Sequence, residues 1–313
     1  MATPSTASSH LQDVYEKCVD ALNALFGAHA GFRAVHAKGV LCEGTFTPAP
    51  DAASLSRAPH FQAAVPVTVR FSDFTGIPNI ADTDPNASPR GCAIRFHLPG
   101  GADADIVAHS FNGFPVGTAE EFLGFLQALA ATSPDSPKPT PIEVFLSTRP
   151  RAMAFAVAPK PAPASFASTS YFGINAFLFT NKEGVSRHAR YQIRPVAGES
   201  YLTDAEAQLR SPDYLFDELN ERLSRSSIEL KLSAQLAQTG DPVDDGSITW
   251  PDDRQQLDVG TIRLTVLTPD NQAAQRRLIY DPIHLADGIS LSSDPLPAAR
   301  SAVYSISYAR RNR

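Results

Sequence analysis

Two sets of residues in this chain have types and spacing that could do chemistry. The first is His36 in the stretch RAVHAKGVLCEG, one of eight histidines, set between Arg33 and Lys38 just ahead of a segment with strand character. An imidazole there could move protons as a general base and acid, or it could be an ordinary strand-edge histidine bonded to the backbone; the stretch alone does not separate the two. The second is Arg300 and Tyr304, which stand four residues apart on a predicted C-terminal helix, share one of its faces and can touch. Spacing alone also fits a surface pair. The three cysteines, Cys18, Cys42 and Cys92, are widely spaced with no CxxC, so they read as reduced thiols and not as a zinc site or a disulfide.

The elements that must position these residues follow from periodicity. Residues 9–27 place Leu11, Val14, Cys18, Ala21, Leu22 and Leu25 on one face at helical period, with Ser9 as a candidate N-cap and Gly27 as a stop. From about residue 38 the period shortens. KGVLCEGTF, VPVTVRFS, GCAIRFHL and ADIVAHSF read as strands, and INAFLFTN, RHARYQIRP, SIELKLSAQLA and GTIRLTVLT as a second set. Between the sets lies TAEEFLGFLQALAAT, a helix with Thr118 and Glu121 as a capping box, and SPDYLFDELNERLS is a helix within the second set. A helix is also predicted from Pro295 or Leu296 onward, closing on Arg310, Arg311 and Arg313, where positive charge suits the helix dipole. The fold class is therefore α+β. About eight strands fit an antiparallel barrel, though two sheets in a sandwich would give the same strings.

Composition narrows the class further. The 313 residues are 43% hydrophobic and 19% charged with a net charge of −6, and no basic stripe is present to neutralise phosphates, so nucleic acid is excluded as a partner. No secretory leader and no apolar run long enough to cross a membrane are apparent, which makes a cytoplasmic location the expectation. The 26 prolines gather in surface-like runs such as TSPDSPKPTP and APKPAPASF.

Six segments, in order, carry a resemblance: RAVHAKG, VTVRFSDFTGIP, PRGCAIRFHLPGG, ADIVAHSFNGFPV, ITWPDDRQQLDVGTIRL and SSDPLPAARSAVYSIS. Together they resemble the haem catalase superfamily, and in particular its short branch, the catalase-related peroxidases or mini-catalases. The resemblance spans roughly residues 30–311. It implies a single catalase-like domain over residues 1–313: an N-terminal helix (1–30), an eight-stranded antiparallel barrel with inserted helices (31–270), and a proximal loop and helix (271–313). The chain ends just after that helix, so the C-terminal α-domain of large catalases is expected to be absent, and their long N-terminal arm with it.

The resemblance also implies roles. Haem b is the expected cofactor, with His36 as the distal acid and base, Ser72 as the hydroxyl that holds its second ring nitrogen, and Asn112 as the group that assists at the peroxide. A count without a gap puts the large catalases' distal asparagine on His109, beside Ser110, so those two are the other candidates. Tyr304 is the expected iron ligand and Arg300 its partner one turn earlier. Arg33, Arg70 and Arg311 match propionate-binding positions, Phe114 and Phe122 would wall the distal pocket, and Val35 would narrow its channel. Tyr308 would be packing or a propionate neighbour, and Lys38 has no assigned role. The expected activity is peroxidase action on organic hydroperoxides, weaker on hydrogen peroxide, with an external electron donor and a homodimeric state. An isomerase of the allene oxide synthase type, a low-activity catalase, and a barrel that only binds haem or an apolar ligand are the rivals.

Overall fold

The computed structural model describes residues 6–313. The strands are β1 (Gly39–Pro48), β2 (Val65–Ser72), β3 (Gly91–His97), β4 (Asp103–His109), β5 (Tyr171–Phe172), β6 (Phe177–Thr180), β7 (Ser186–Pro195), β8 (Ile228–Leu236), β9 (Gln256–Leu267) and β10 (Ile289–Leu291). The helices are α1 (Thr6–Phe26), α2 (Ala52–Leu55), α3 (Ala119–Ala130), α4 (Pro141–Ser147), α5 (Pro150–Val157), α6 (Asp204–Gln208), α7 (Tyr214–Arg225), α8 (Asn271–Arg277) and α9 (Leu296–Arg311).

The sheet runs β7-β5-β4-β3-β2-β1-β9-β8, and β8 pairs back onto β7, which closes an eight-stranded antiparallel barrel. Closure gives each of these strands a partner on both sides. Val65, Val67, Val69 and Phe71 of β2 and Ile228, Leu230, Leu232 and Ala234 of β8 alternate inward as the pleat requires, and both rows belong to one apolar core. The pairing slips at Glu43/Gly44 against β9 and at Leu232/Ser233, irregularities that bend long strands around a barrel.

One seam is thin. β4 meets β5 through a single residue pair, His109 with Phe172. β5 and β6 lie in tandem along β7, where Tyr171 and Phe172 face Ile193 and Gln192, and Phe177 faces Ala189. The chain bulges out of the ladder at residues 174–176 between them. INAFLFTN, expected as a barrel strand, supplies β6, while β5 has no counterpart among the expected strands. Two residues are too few to show a period of two, so β5 carries no pattern to detect. β10, three residues long, adds to β6 outside the barrel and was missed for the same reason.

Three helices pack on one another outside the barrel core. Val14, Cys18, Val19 and Leu22 of α1 are buried against Ala119, Phe122 and Leu126 of α3 and against Ala299, Val303 and Ile306 of α9. Fully burying a side chain such as Leu22 contributes about 1.5–3 kcal/mol, so this three-helix contact ties the N-terminal helix to the C-terminal one. Gly27 ends α1 as predicted, with φ +85° and its N–H donating to the Asn23 carbonyl at 2.9 Å. Ser9 does not cap it, because α1 already runs from Thr6 and Ser9 lies inside the helix.

Thr118 caps α3 by accepting from Glu121 N, while the Glu121 carboxylate reaches back to Gly117 N and not to Thr118 itself. Between the two proline-rich runs lie two helices that composition hid, α4 and α5, each opening on a proline at its first turn, where a missing N–H costs nothing. Cys18, Cys42 and Cys92 are buried thiols outside any disulfide. Among the described residues no helix is long and apolar enough to cross a membrane.

Candidate active site

His36 sits in the bend between α1 and β1 in the left-handed backbone region, φ +57°, which a residue with a side chain enters only when its surroundings hold it there. The hold is visible: His36 N donates to the Phe74 carbonyl at 2.7 Å and Ala37 N to the Thr75 carbonyl at 2.9 Å. Its Nδ1 lies 2.9 Å from the Asp73 carbonyl and 3.1 Å from Ser72 Oγ. A carbonyl can only accept, so in the neutral ring Nδ1 carries the hydrogen and Nε2 keeps its lone pair. Ser72 is where the sequence put it, but a hydroxyl donates or accepts equally; it is the Asp73 carbonyl that fixes the tautomer, and a main-chain group leaves no mark in the sequence. Gly91, opposite Ser72 on β3, has to be glycine: a Cβ there would stand 2.4 Å from Ser72 Oγ and 2.8 Å from His36 Nδ1.

Burial drives the His36 pKa down to about 3, helped by Arg70 and His109 and opposed by the bond to Asp73. The ring is therefore neutral, and a base, at any ordinary pH.

A cavity with about 780 Å³ of unfilled space, part of it open to solvent, collects His36, Ser72, Arg33, Arg70, Arg300, Tyr304, Arg311 and Val35 from distant parts of the chain. Its walls include Leu22, Val107, Ile279 and Val303. Asn112 does not line it; its carbonyl accepts from Thr249 Oγ1. His109 does line it, buried, with neither ring nitrogen bonded, and burial foremost holds its pKa near 3. Ser110 Oγ is occupied by Arg90 N. Phe114 and Phe122 pack on each other with tilted rings 5.5 Å apart in the apolar cluster behind His109, and Phe114 lies 6.4 Å from the His109 ring.

Three arginines converge on the cavity. Arg33 donates to the carbonyls of Leu278 and Gln275, Arg311 to that of Leu278, and Arg70 to the carbonyl of His36 and to Gln275 Oε1. None of these bonds goes to a carboxylate, and Arg311 Nε is buried without a partner. Burial is the largest cause of the lowered pKa of each, with Arg33 also disfavoured by Arg70 and Arg311, and Arg70 by Arg311. Gln275 on α8, which the sequence reading took for loop, anchors this corner through Arg70 and the Gly39 carbonyl.

On α9, Arg300 Nε donates to the Tyr304 oxygen at 3.1 Å, so the pair the spacing predicted does touch. Arg300 Nη1 donates to Asn175 Oδ1 at 2.7 Å, and Asn175 Nδ2 to Asp294 Oδ2 at 2.8 Å. Asn175 lies, buried, in the bulge between β5 and β6, a feature with no sequence signature. Asp294 also accepts from Leu296 N and so fastens the start of α9. Tyr308 packs under the Arg311 guanidinium, 4.9 Å from it, and its hydroxyl donates to the Arg277 carbonyl.

The catalase family model matches residues 6–313. The chain belongs to the catalase family. Among its relatives, a catalase-related peroxidase of Synechococcus elongatus is 37% identical over 305 residues, covering 95% of this chain and 88% of that protein. A catalase-related peroxidase of Mycolicibacterium paratuberculosis is 35% identical over 296 residues, covering 93% of each. The fold matches solved catalases, one fungal and one bacterial, each with a TM-score of 0.79 at 22% identity over 99% of this chain. The chain spans 64% and 62% of the length of those two catalases.

The family's cofactor is haem, and the donor set fits it. Three guanidiniums without a carboxylate, Arg70 buried and Arg33 and Arg311 half-buried, suit a pair of propionates, a phenol suits ferric iron, and the apolar walls suit the faces of a macrocycle.

Proposed function

We propose that this catalase-family protein is a haem peroxidase that reduces organic hydroperoxides to alcohols, and hydrogen peroxide more weakly, with electrons from an external donor. The observation that carries the reading is the union of His36, Tyr304 and the three carboxylate-free arginines in one cavity. The names of the relatives, catalase-related peroxidases, support the same class.

Haem b, when bound, would supply the redox-active iron at which the peroxide is reduced. Tyr304 would ligate it, with Arg300 stabilising the phenolate by its bond to the oxygen, while Arg33, Arg70 and Arg311 would hold the propionates. His36 Nε2 takes the proton of the hydroperoxide and returns it to the departing oxygen, which then leaves as an alcohol and not as an alkoxide. Over a turnover each hydroperoxide takes up two electrons and two protons and yields one alcohol and one water. His109, in place of Asn112, is the second polar group facing the peroxide: its unbonded nitrogens line the cavity, and Asn112 does not reach it. Val35 lines the cavity, whereas Phe114 and Phe122 act as packing behind His109.

The reading is tested by adding ferric haem to the purified protein. One haem per chain with a Soret band and high-spin ferric features is the expected result. No uptake with haem in excess would overturn it.

A further inference from the structure

Behind His36, away from the cavity, lies a buried cluster of charges that the reaction above does not use. Asp73 is fully buried and forms an ion pair with Arg90, itself buried, while the second carboxylate oxygen of Asp73 has no hydrogen-bond partner. Lys38, left without a role by the sequence, stands 3.9 Å from Asp73, 2.5 Å from Asp82 and 2.7 Å from Asp213, and donates to the Ile80 and Pro212 carbonyls. Arg90 also donates to the Asp82 carbonyl, and Asp82 Oδ2 accepts from Leu215 N at the start of α7. Burying so many charges is costly, and keeping them is a reason to look for a task.

The main chain supplies one. Asp73 N donates to the Lys38 carbonyl at 3.0 Å, and the Asp73 carbonyl is the acceptor that fixes the His36 tautomer. Residue 73 thus has its side chain in the charge cluster and its carbonyl on the catalytic imidazole. We propose that Asp73 is a positioning residue for His36: its ionised carboxylate, clamped by Arg90 with Lys38 beside it, holds the peptide that keeps the hydrogen on Nδ1 and the lone pair on Nε2. Ser72 alone, as a hydroxyl, would bond either tautomer. This inference rests on the reading of His36 as the distal base.

The groups facing Asp73 are Arg90 ahead of β3, Asp82 in the following loop and Lys38 at the start of β1, with Tyr171 of β5 and Tyr214 of α7 nearby. Burial first, then Asp82, push its carboxyl up to about 7, against the opposing pull of Arg90 and Lys38. His36 itself is faced by Arg70, His109 and Arg300 and does not titrate near neutrality. The sign follows. A carboxylate with a raised pKa is ionised above about 7 and neutral below it, so the clamp weakens as pH falls through neutrality.

Cyanide association with the ferric holoprotein, followed by the Soret shift between pH 5 and 9, reads the base without peroxide chemistry, because His36 must take the proton of HCN. The wild type is expected to lose rate on the order of tenfold, the lower end for an outer partner of a working imidazole, along an acid limb near pH 7. Asp73→Asn, which cannot ionise, should run flat at the slow level. Lys38→Met removes a cation that favours the ionised form and should move the limb to higher pH. A limb unchanged in Asp73→Asn overturns the proposal. If that variant does not fold, an unmoved limb in Lys38→Met overturns it. His36→Ala, run alongside, separates the two failures: cyanide binding that does not slow in His36→Ala refutes His36 as the base, whereas a slow His36→Ala with an unmoved limb refutes only the role of Asp73.

Discussion

His36→Ala is expected to keep its haem and to lose about 10²- to 10⁴-fold in the reaction with cumene hydroperoxide, the range for removing a positioned acid and base. The variant keeps the arginine trio and Tyr304, so haem content and the Soret band should be unchanged while the rate collapses. His109→Phe, which stays apolar against Phe114, should slow the same reaction by a smaller factor. Asn112→Ala should leave it near the wild-type rate, because only the main-chain carbonyl of Asn112 makes a bond and its side chain does not reach the cavity. Stopped-flow measurement of the three variants separates these roles. Full turnover by a haem-loaded His36→Ala would refute His36 as the acid and base.

Tyr304→Phe is expected to act on the other side of the site. It removes the one oxygen to which Arg300 Nε donates, leaving a part-buried guanidinium short of an acceptor, and it deletes the proposed iron ligand. The loss in haem affinity should exceed the roughly 10- to 100-fold that losing an outer partner costs a metal site. Any tyrosinate charge-transfer absorption should vanish with it. Titrating ferric haem into wild type and variant measures both. Equal affinities and superimposable spectra would refute the assignment.

What the sequence made legible follows the length of each signal. α1, α3, α7 and α9 run for 12 to 21 residues and repeat their apolar face several times, so period alone finds them. β5 and β10 are too short to repeat anything. The site divides the same way. His36, Arg33, Arg70, Ser72, Arg300, Tyr304 and Arg311 are side chains in motifs, and the structure brings them together in one cavity.

What escaped the reading depends on three-dimensional detail. The Asp73 carbonyl is main chain and has no letter of its own. Asn175 enters through an irregularity between two strand fragments on β7, and Gln275 through a helix in a stretch read as loop. Residue type favours Asn112 over His109; β4 runs unbroken to His109, which pairs with Gly91 opposite, so the pleat and not the residue type decides what lines the cavity.

In the proposed two-electron reduction, His36 delivers the proton that lets the oxygen–oxygen bond break unevenly. The most direct measurement is the product balance of the haem-loaded protein with cumene hydroperoxide and excess one-electron donor, without oxygen. One cumyl alcohol and two oxidised donor molecules are expected for each hydroperoxide consumed, with no sustained consumption when the donor is left out. Acetophenone as the main product, the mark of even cleavage, or full-rate consumption of hydroperoxide without donor to an isomerised product, would contradict it.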